Sequence, residues 1–162
     1  MTRPAGAFVV RPVERSEVDA LHALWRAADD RGDWRPASGG QGLLEELDIL
    51  ASEGRVWAAF QRGAPVAFAA AGDLDGALWL SVFGVSGTCR GRGLASSLLA
   101  GVLGYGQWAQ YPALVALVAL APKGESAFLE RVGFLRLDGD RLADGLRELA
   151  RSRGLAAWAR PI

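Results

Sequence analysis

The feature that most constrains the fold is a run of 29 residues without a charge, from Leu94 to Pro122. A run of this length is sufficient for a membrane-spanning helix. However, the segment G-Y-G-Q-W-A-Q-Y-P at residues 104–112 divides it into a part of helix length and an almost purely aliphatic part of strand length. A buried helix followed by a central strand explains both parts, so we expect a parallel strand–helix–strand crossover and no membrane span.

The segments around this run predict an α/β fold with a mixed sheet, in a single domain over residues 1–162. We expect Ser16 to cap the first helix, with Asp19 as the acid of a capping box. Tight turns join three strand signals after the second helix, which makes these strands antiparallel hairpins. The predicted strands are Phe8–Val13, Arg55–Gln61, Ala64–Gly72, Ala77–Val85, Ala113–Ala121, Phe134–Leu137 and Ala156–Arg160. The first predicted helix begins at Ser16. The other predicted helices cover Gln41–Glu53, Gly93–Trp108, Gly124–Val132 and Asp140–Arg153.

Composition excludes several classes of protein. Lys plus Arg equals Asp plus Glu, at 18 each, which argues against a nucleic-acid binder with a broad basic face. The only cysteine is Cys89, and the chain contains neither a CxxC pair nor a Cys/His cluster, so we expect a reducing compartment and no metal site. The first residues lack the apolar segment of a signal peptide. We therefore expect a cytoplasmic protein.

The stretch V-S-G-T-C-R-G-R-G-L-A-S-S, Val85 to Ser97, joins the third hairpin strand to the buried helix. The first N–H groups of a helix have no partner within the helix, and the helix dipole is positive there. Gly91 and Gly93 allow a ligand to approach the backbone because no Cβ intervenes. Arg90 and Arg92 add fork-shaped donors at the rim. Such a segment is suited to a pyrophosphate.

Two other nucleotide-binding motifs do not fit this stretch. A P-loop requires Gly-Lys followed by Ser or Thr, which the chain lacks. A dinucleotide fingerprint requires Gly or Ala where Ser96 stands, and an acid about 20 residues further on, whereas residues 107–121 contain none. On these grounds alone, a plain glycine turn with solvated arginines remains an alternative to the pyrophosphate site.

A family resemblance bears on that choice. V-S-G-T-C-R-G-R-G-L-A resembles motif A of the GCN5-related N-acetyltransferases, V-x-P-x-x-R-G-x-G-x-G/A, although Gly87 replaces the common proline. S-A-F-L-E-R-V-G-F at Ser126 to Phe134 is similar to motif B of that family. The order of the predicted elements is also that of the family, so the resemblance spans most of the chain. The residues in register with motif A are Val85, Arg90, Gly91, Gly93 and Ala95.

The resemblance implies that acetyl-coenzyme A (acetyl-CoA) is the cosubstrate. It further implies direct transfer of the acetyl group to a primary amine of a small molecule or a protein, with the amine arriving near the first two helices. Homodimers are common in the family. By resemblance, the pyrophosphate is held by Arg90, Gly91, Arg92, Gly93, Leu94 and Ala95. The pantetheine arm pairs with Phe83, Gly84 and Val85, where the third hairpin strand splays from the strand at Ala113–Ala121.

The catalytic positions depart from the family's pattern. The tyrosine that commonly protonates the leaving thiolate corresponds here to Leu129. Other members carry a glutamate base on the third hairpin strand, but Ala77–Val85 contains no acid, and neither does Ala113–Ala121. We therefore assign no catalytic residue. Other side chains with suitable chemistry are more simply explained by packing or chance; they are His22, Ser81, Cys89, Tyr105 and Tyr111.

The acceptor site is the least specified. Trp34, in the polar loop after the first helix, and Trp79, on the hairpin sheet, are candidates to line it, although tryptophans usually pack. Acids at Asp29, Asp30, Asp33, Glu45, Glu46 and Asp48 alternate with Arg26, Arg31 and Arg35, which favours a solvated surface over an amine-attracting one.

Two alternatives to an enzyme remain open. The first is a non-catalytic acyl-CoA sensor or scaffold of the same fold, which Leu129 and the acid-free strands favour. The second is an unrelated anion-binding fold, which requires motif B to be a coincidence.

Overall fold

A computed structural model of the protein describes residues 7–27, 42–85, 89, 93–119, 129–137, 141–142 and 144–162. Seven strands form one mixed sheet in the order β1-β2-β3-β4-β5-β7-β6, which confirms the predicted α/β fold. The strands are β1 (Phe8–Pro12), β2 (Val56–Gln61), β3 (Ala64–Leu74), β4 (Ala77–Val85), β5 (Ala113–Ala119), β6 (Leu135–Leu137) and β7 (Leu155–Pro161). The helices are α1 (Val18–Ala27), α2 (Leu43–Ser52), α3 (Leu94–Trp108) and α4 (Asp144–Arg153).

Strands β2, β3 and β4 form the predicted antiparallel hairpins, and β1 pairs antiparallel with β2 at the edge of the sheet. Both tight turns have two successive residues with positive φ: 53° and 79° at Arg62 and Gly63, and 54° and 80° at Asp75 and Gly76. Two positive φ values are the signature of a type I′ turn, whose twist matches that of the strands that it joins. The short Arg-Gly and Asp-Gly links therefore determine the antiparallel half of the sheet.

The uncharged run forms the predicted crossover. Its first part is α3, and its second part is β5, which pairs in parallel with β4. Strand β7 then inserts between β5 and β6 and is antiparallel to both. None of the described helices is long and apolar enough to span a membrane.

Three hydrophobic clusters cover the two faces of the sheet. The cluster under α3 contains Leu98, Val102 and the inward side chains of β4 and β5, among them Leu78 and Leu114. A second cluster joins α1 and α2 to the opposite face of the hairpins, and it includes the apolar side chains of both helices, among them Leu21 and Leu47. The third lies under α4 and contains Trp79, Leu142 and Leu146.

The predicted cap of the first helix is wrong. A 3₁₀ turn at Arg15–Glu17 precedes α1, so Ser16 lies inside the turn and does not cap the helix. The acid that takes the capping role is Glu17 and not Asp19: its Oε1 accepts the Glu14 N–H at 3.0 Å, while the Glu17 N–H closes the 3₁₀ turn on the Glu14 carbonyl at 2.9 Å. Arg11 holds the same Glu17 carboxylate with two hydrogen bonds of 2.8 and 2.7 Å, which favours this earlier start.

Other boundaries differ by a few residues. Strand β3 runs to Leu74, past the expected end at Gly72, because Asp75 and not Asp73 is the first turn residue with positive φ. Helix α4 covers Asp144–Arg153, and Asp140, where we expected the helix to begin, lies outside the described residues. Of the helix expected over Gly124–Val132, residues 129–131 are helical, and residues 124–128 lie outside the described part of the chain.

Candidate active site

Strands β4 and β5 separate halfway along their length. Their residue pairs are Leu78 with Leu114, Trp79 with Val115 and Leu80 with Ala116. Beyond that point β4 continues to Val85 beside β3, and β5 continues to Ala119 beside β7. The separation is the splay expected from the sequence. It leaves an opening at the carboxyl ends of two neighbouring parallel strands, which is where open α/β sheets bind ligands.

Ser81 lies at the apex of this opening. The register between β3 and β4 changes from Ala71 opposite Leu80 to Ala70 opposite Val82, so Ser81 is the extra residue of a β-bulge. Its hydroxyl is buried and donates to the Ala70 carbonyl at 3.3 Å. The bulge therefore occurs at the residue that follows the last β4–β5 pair.

The N-terminus of α3 lies after the end of β4. Gly93 is its N-cap, with φ 75°, and no described atom lies within 4 Å of the position that a Cβ would occupy there. The helix is 15 residues long and has no acid in its first turn. Its first N–H groups, those of Leu94, Ala95 and Ser96, precede the 3.2 Å bond from the Ser97 N–H to the Gly93 carbonyl. The helix dipole makes this end electropositive, and its first amides suit an anion.

Core residues anchor both ends of the glycine-rich segment. Cys89 and Leu94 are each 5 % exposed and belong to the cluster under α3, and Ala95 packs against that cluster. The thiol of Cys89 is thus part of the core. The expected pyrophosphate contacts of Arg90, Gly91 and Arg92 lie outside the described residues, as does Trp34.

Three further residues of the expected coenzyme site are in β4 beyond its last pair with β5. Gly84 and Val85 are opposite Phe68 and Ala67 of β3, and Phe83 is half-buried against the cluster under α3. The edge of β4 that points away from β3 at these residues borders the opening.

Leu129 is a core residue. Its side chain is 5 % exposed and belongs to the same cluster as Cys89 and Phe134. Its carbonyl accepts the Phe134 N–H at 2.9 Å, which joins the last helical turn to the start of β6. The position that often carries a tyrosine in the family is therefore filled by an aliphatic side chain with a packing role.

The two tyrosines lie at the opposite end of β5 from the opening. The Tyr111 hydroxyl donates to Asp73, and the Arg55 guanidinium lies 5.1 Å from the centre of the Tyr105 ring. The hydrogen bond to Tyr111 lowers the pKa of Asp73, whereas burial, and then that bond, raises the pKa of Tyr111. His22 packs on Trp25, with ring centres 5.8 Å apart. These contacts give Tyr111, Tyr105 and His22 partners within the fold.

Trp79 is buried under α4. It is 8 % exposed, and its indole nitrogen lies 2.7 Å from the position that a Cβ on Gly72 would occupy. The absence of a side chain at Gly72 therefore makes room for the ring. The acceptor hypothesis for Trp79 remains a prediction from the sequence alone, and the observed environment of this residue is that of a packed core side chain.

Sequence analysis did not predict the burial of Glu46 in α2, which is half-buried. Burial raises the pKa of Glu46, and interaction with the Ser81 hydroxyl opposes part of that rise. The helical spacing indicates this burial, because Glu46 lies three residues after Leu43 and four before Leu50, on the buried face of α2. Its residue type does not distinguish it from the neighbouring Glu45, which is exposed.

A comparison with family models matches residues 19–134 to the acetyltransferase (GNAT) family. The match covers more than half of the chain and includes the β4–β5 opening and the N-terminus of α3. The chain belongs to the GNAT family of acetyltransferases. No curated protein matches it in a sequence comparison.

Solved structures of acetyltransferases have the same fold. N-acetylglutamate synthase from Neisseria gonorrhoeae, complexed with coenzyme A and N-acetyl-glutamate, has a TM-score of 0.72 and 19 % identity over 96 % of this chain, which spans 35 % of the synthase. The PaiA N-acetyltransferase from Thermoplasma acidophilum, complexed with coenzyme A, has a TM-score of 0.71 and 12 % identity; the match covers 96 % of this chain and 99 % of PaiA. Ribosomal-protein-alanine N-acetyltransferase from Brucella melitensis has a TM-score of 0.70 and 18 % identity; the match covers 95 % of this chain and 99 % of that enzyme. At these identities the likeness shows the fold.

Proposed function

We propose that the chain is an acetyl-CoA-dependent N-acetyltransferase that transfers the acetyl group to a primary amine of a small molecule or a protein by direct attack. The observation that carries this proposal is the end of the β4–β5 ladder at Leu80 and Ala116, in the strand that leads along the chain to the N-terminus of α3 at Gly93. The coenzyme A in the similar synthase and PaiA structures supports it. The single cysteine supports a cytoplasmic location.

The coenzyme would occupy both the N-terminus of α3 and the free edge of β4. The diphosphate lies at the first amides of α3, with Gly93, Leu94 and Ala95 as the described contacts and the segment Arg90 to Arg92 completing the site. The amides of the pantetheine arm pair with β4 along Phe83 to Val85, in the place that β5 vacates. The thioester then reaches the apex near Ser81.

The acceptor enters from the side of α1 and α2. This approach leaves the α3 side to the coenzyme and brings the amine to the thioester from the opposite side of the opening, which orients the two reactants for direct transfer. The names of the similar structures include a small amino acid derivative and a ribosomal-protein alanine, which supports an amine acceptor without choosing between these classes.

One observation favours a second candidate, a sensor or scaffold that binds an acyl-CoA without turnover. Leu129 fills the position of the common proton donor and is buried in the core. An acid is less essential for a thiolate than for a poorer leaving group, so we retain the enzyme as the first proposal.

Two measurements separate these candidates. Isothermal titration with acetyl-CoA is expected to give micromolar binding for both, and its absence would contradict both. Release of free thiol is then measured with a panel of small amines and N-terminal peptides. Thiol release that depends on one acceptor supports the enzyme, whereas binding without release from any acceptor supports the sensor.

A further inference from the structure

The residues at which β4 and β5 separate are followed across the sheet by a tryptophan of β7. Leu80 of β4 is opposite Ala116 of β5, and Ala116 is in turn opposite Trp158 of β7. All three side chains belong to the cluster under α3, so they project from the same face of the sheet. Neighbouring strands are about 4.8 Å apart, so the backbone of Trp158 is roughly 10 Å from that of Leu80. Trp158 is therefore one strand away from the apex of the opening, on the α3 side.

Trp158 carries a buried polar group without a partner. Its side chain is 6 % exposed, and its Nε1 has no hydrogen-bond partner in the part of the chain that the structure describes. An indole N–H can only donate, so it requires an acceptor. A buried donor without one costs free energy, and most such groups in folded proteins are paired. An unpaired donor beside a ligand opening indicates that the ligand supplies the acceptor.

The other buried nitrogens without a hydrogen bond differ from that of Trp158. Among the described residues they are Nε of Arg55 and Nε of Arg147. Each belongs to a guanidinium group that forms an ion pair, with Glu53 at 3.3 Å and with Asp144 at 2.7 Å. The neutral indole of Trp158 has no comparable compensation within the protein.

Small side chains lie between the indole and the opening. Ala116 is across from Trp158 in β5. Ala156 precedes Trp158 by two residues in β7, so it is on the same face of the sheet, and it is opposite Val118, beyond the end of the β4–β5 ladder. Both alanines carry only a methyl group, so neither separates the indole from a ligand that enters between the strands.

The charged groups near Trp158 favour an anionic acceptor. Helix α3 and strand β5 contain no charged residue. The guanidinium of Arg136 in β6 lies 5.9 Å from the centre of the indole ring, and Arg160 is on the same face of β7, two residues further along. Glu130 and Arg131, in the turn before β6, are both exposed. Positive charge therefore predominates on this side of the opening.

We propose that the indole N–H of Trp158 donates a hydrogen bond to the sulfur of coenzyme A and stabilises the thiolate that leaves during acetyl transfer. The inference rests on the proposed function, in which the thioester reaches the end of the β4–β5 ladder from the α3 side. A thioester sulfur is a weak acceptor, whereas a thiolate is a strong one. The hydrogen bond therefore strengthens as the C–S bond breaks, and it lowers the barrier more than it tightens binding.

The step is balanced without a proton from the indole. The unprotonated acceptor amine forms the C–N bond at the thioester carbonyl, the C–S bond breaks, and its electron pair remains on the sulfur. Trp158 keeps its proton, because an indole is a far weaker acid than a thiol. The proton that the acceptor nitrogen loses reaches the thiolate through solvent, and the products are the N-acetylated acceptor and free coenzyme A.

The first test measures the thiol pKa of coenzyme A bound to the protein, from the ultraviolet absorbance of the thiolate. The reference is the same protein saturated with desulfo-coenzyme A, in which hydrogen replaces the thiol group; it removes the signals of Cys89 and the tyrosines. In the wild type the pKa should lie below the usual thiol value of about 8.5, and Trp158→Phe should raise it by about one.

Trp57→Phe is the matched control. Trp57 is also 6 % exposed and belongs to the same cluster, but it is in β2, four strands away from β7. The substitution is chemically identical, and the thiol pKa of bound coenzyme A should equal that in the wild type. With an amine from the panel, Trp158→Phe should lower kcat by about tenfold or more at nearly unchanged acetyl-CoA affinity, while Trp57→Phe stays within about twofold.

A second measurement uses the wild-type protein and does not depend on the stability of a variant. The proton resonance of the Trp158 indole N–H is compared in complexes with coenzyme A and with desulfo-coenzyme A, at a pH above the thiol pKa. A hydrogen bond to the thiolate should move this resonance further downfield with coenzyme A than with the analogue that lacks sulfur.

The outcomes separate the role of Trp158 from the proposed function. Failure of the wild type to bind coenzyme A contradicts both. If coenzyme A binds and its thiol pKa is the same in the wild type and in Trp158→Phe, the role of Trp158 alone is overturned. The same holds if the indole resonance does not distinguish coenzyme A from desulfo-coenzyme A.

Discussion

Leu80 of β4 and Ala116 of β5 are the last pair of the parallel ladder, and the next residue of β4, Ser81, is the extra residue of a bulge against β3. Each strand keeps its other neighbour beyond this point: β4 pairs with β3 as far as Val85, and β5 pairs with β7 as far as Ala119. The opening is thus part of the folded sheet and requires no strand to unpair when a ligand enters.

Gly93 tests the proposed pyrophosphate site. Asp and Asn both tolerate the left-handed conformation found at Gly93, and they differ in charge alone. Gly93→Asp brings a carboxylate to the open end of α3, and we expect acetyl-CoA to bind at least about tenfold more weakly than to Gly93→Asn. Titration calorimetry of the two variants provides the measurement, and equal affinities would contradict a diphosphate at this helix end.

Substitutions of Leu129 test whether this residue, at the position that often carries a tyrosine in the family, has a structural role. Because the side chain is buried, Leu129→Ala should lower the free energy of unfolding by about 2–5 kcal/mol, and the volume-conserving Leu129→Met by less than about 1.5 kcal/mol. Urea unfolding at neutral pH gives both values. A small cost for Leu129→Ala, below about 1 kcal/mol, would show that the site is loosely packed.

Much of the fold was accessible from the sequence because its signals are local. The Arg62-Gly63 turn, the uncharged run and the apolar stripes of α1 and α2 each depend on neighbouring residues. The error at the start of the first helix comes from a side-chain contact that the local pattern does not indicate. Arg11 binds the Glu17 carboxylate, and the helical segment begins before Ser16 can cap it.

The candidate site also has parts that local sequence signals predict and parts that they do not. The glycine-rich segment and its resemblance to motif A indicated a coenzyme site before the fold was known. The burial of Glu46 was not predicted, because it depends on the sheet against which α2 packs, and that packing leaves no local signal in the sequence. Helical spacing alone identified the buried side of α2, not the strand residue that it meets.

The Arg11–Glu17 pair makes stability depend on pH. Two hydrogen bonds from Arg11, then the Glu14 N–H, lower the pKa of Glu17 to about 2. A lowered carboxyl pKa stabilises the fold above the usual value near 4.5, and this contribution is lost as pH falls from there to about 2. A double-mutant cycle of Arg11→Leu and Glu17→Gln should give a coupling of up to about 1 kcal/mol at pH 7, because the pair is partly exposed.

The same double-mutant cycle repeated near pH 2.5 checks the sign of this pH dependence. The coupling should be clearly smaller there, since pH 2.5 lies well below the unfolded pKa near 4.5, so that the unfolded chain is protonated and formation of the ion pair costs the release of that proton. A coupling that is constant across this range would mean that the ion pair does not form in solution.

Asp75 caps α4 from the β3–β4 turn. Its Oδ2 accepts the Gly145 N–H at 2.6 Å, which satisfies one amide at the start of that helix. Asp75→Ala should cost about 1–2 kcal/mol of unfolding free energy, since it removes the acceptor and leaves a residue that disfavours the positive φ. Asp75→Asn keeps a side-chain oxygen that can accept the bond and tolerates the positive φ, so it should cost less than about 1 kcal/mol of unfolding free energy. Equal costs for the two variants would contradict the cap.

The most direct test of the central claim is titration of the wild-type protein with acetyl-CoA and, in parallel, with acetyl-pantetheine, which lacks the diphosphate. Both contain the arm that pairs with β4, and only the first presents the anion to the N-terminus of α3. We predict micromolar binding of acetyl-CoA and binding of acetyl-pantetheine that is weaker by at least about tenfold. No detectable binding of acetyl-CoA, or equal affinity for the two, would contradict the account.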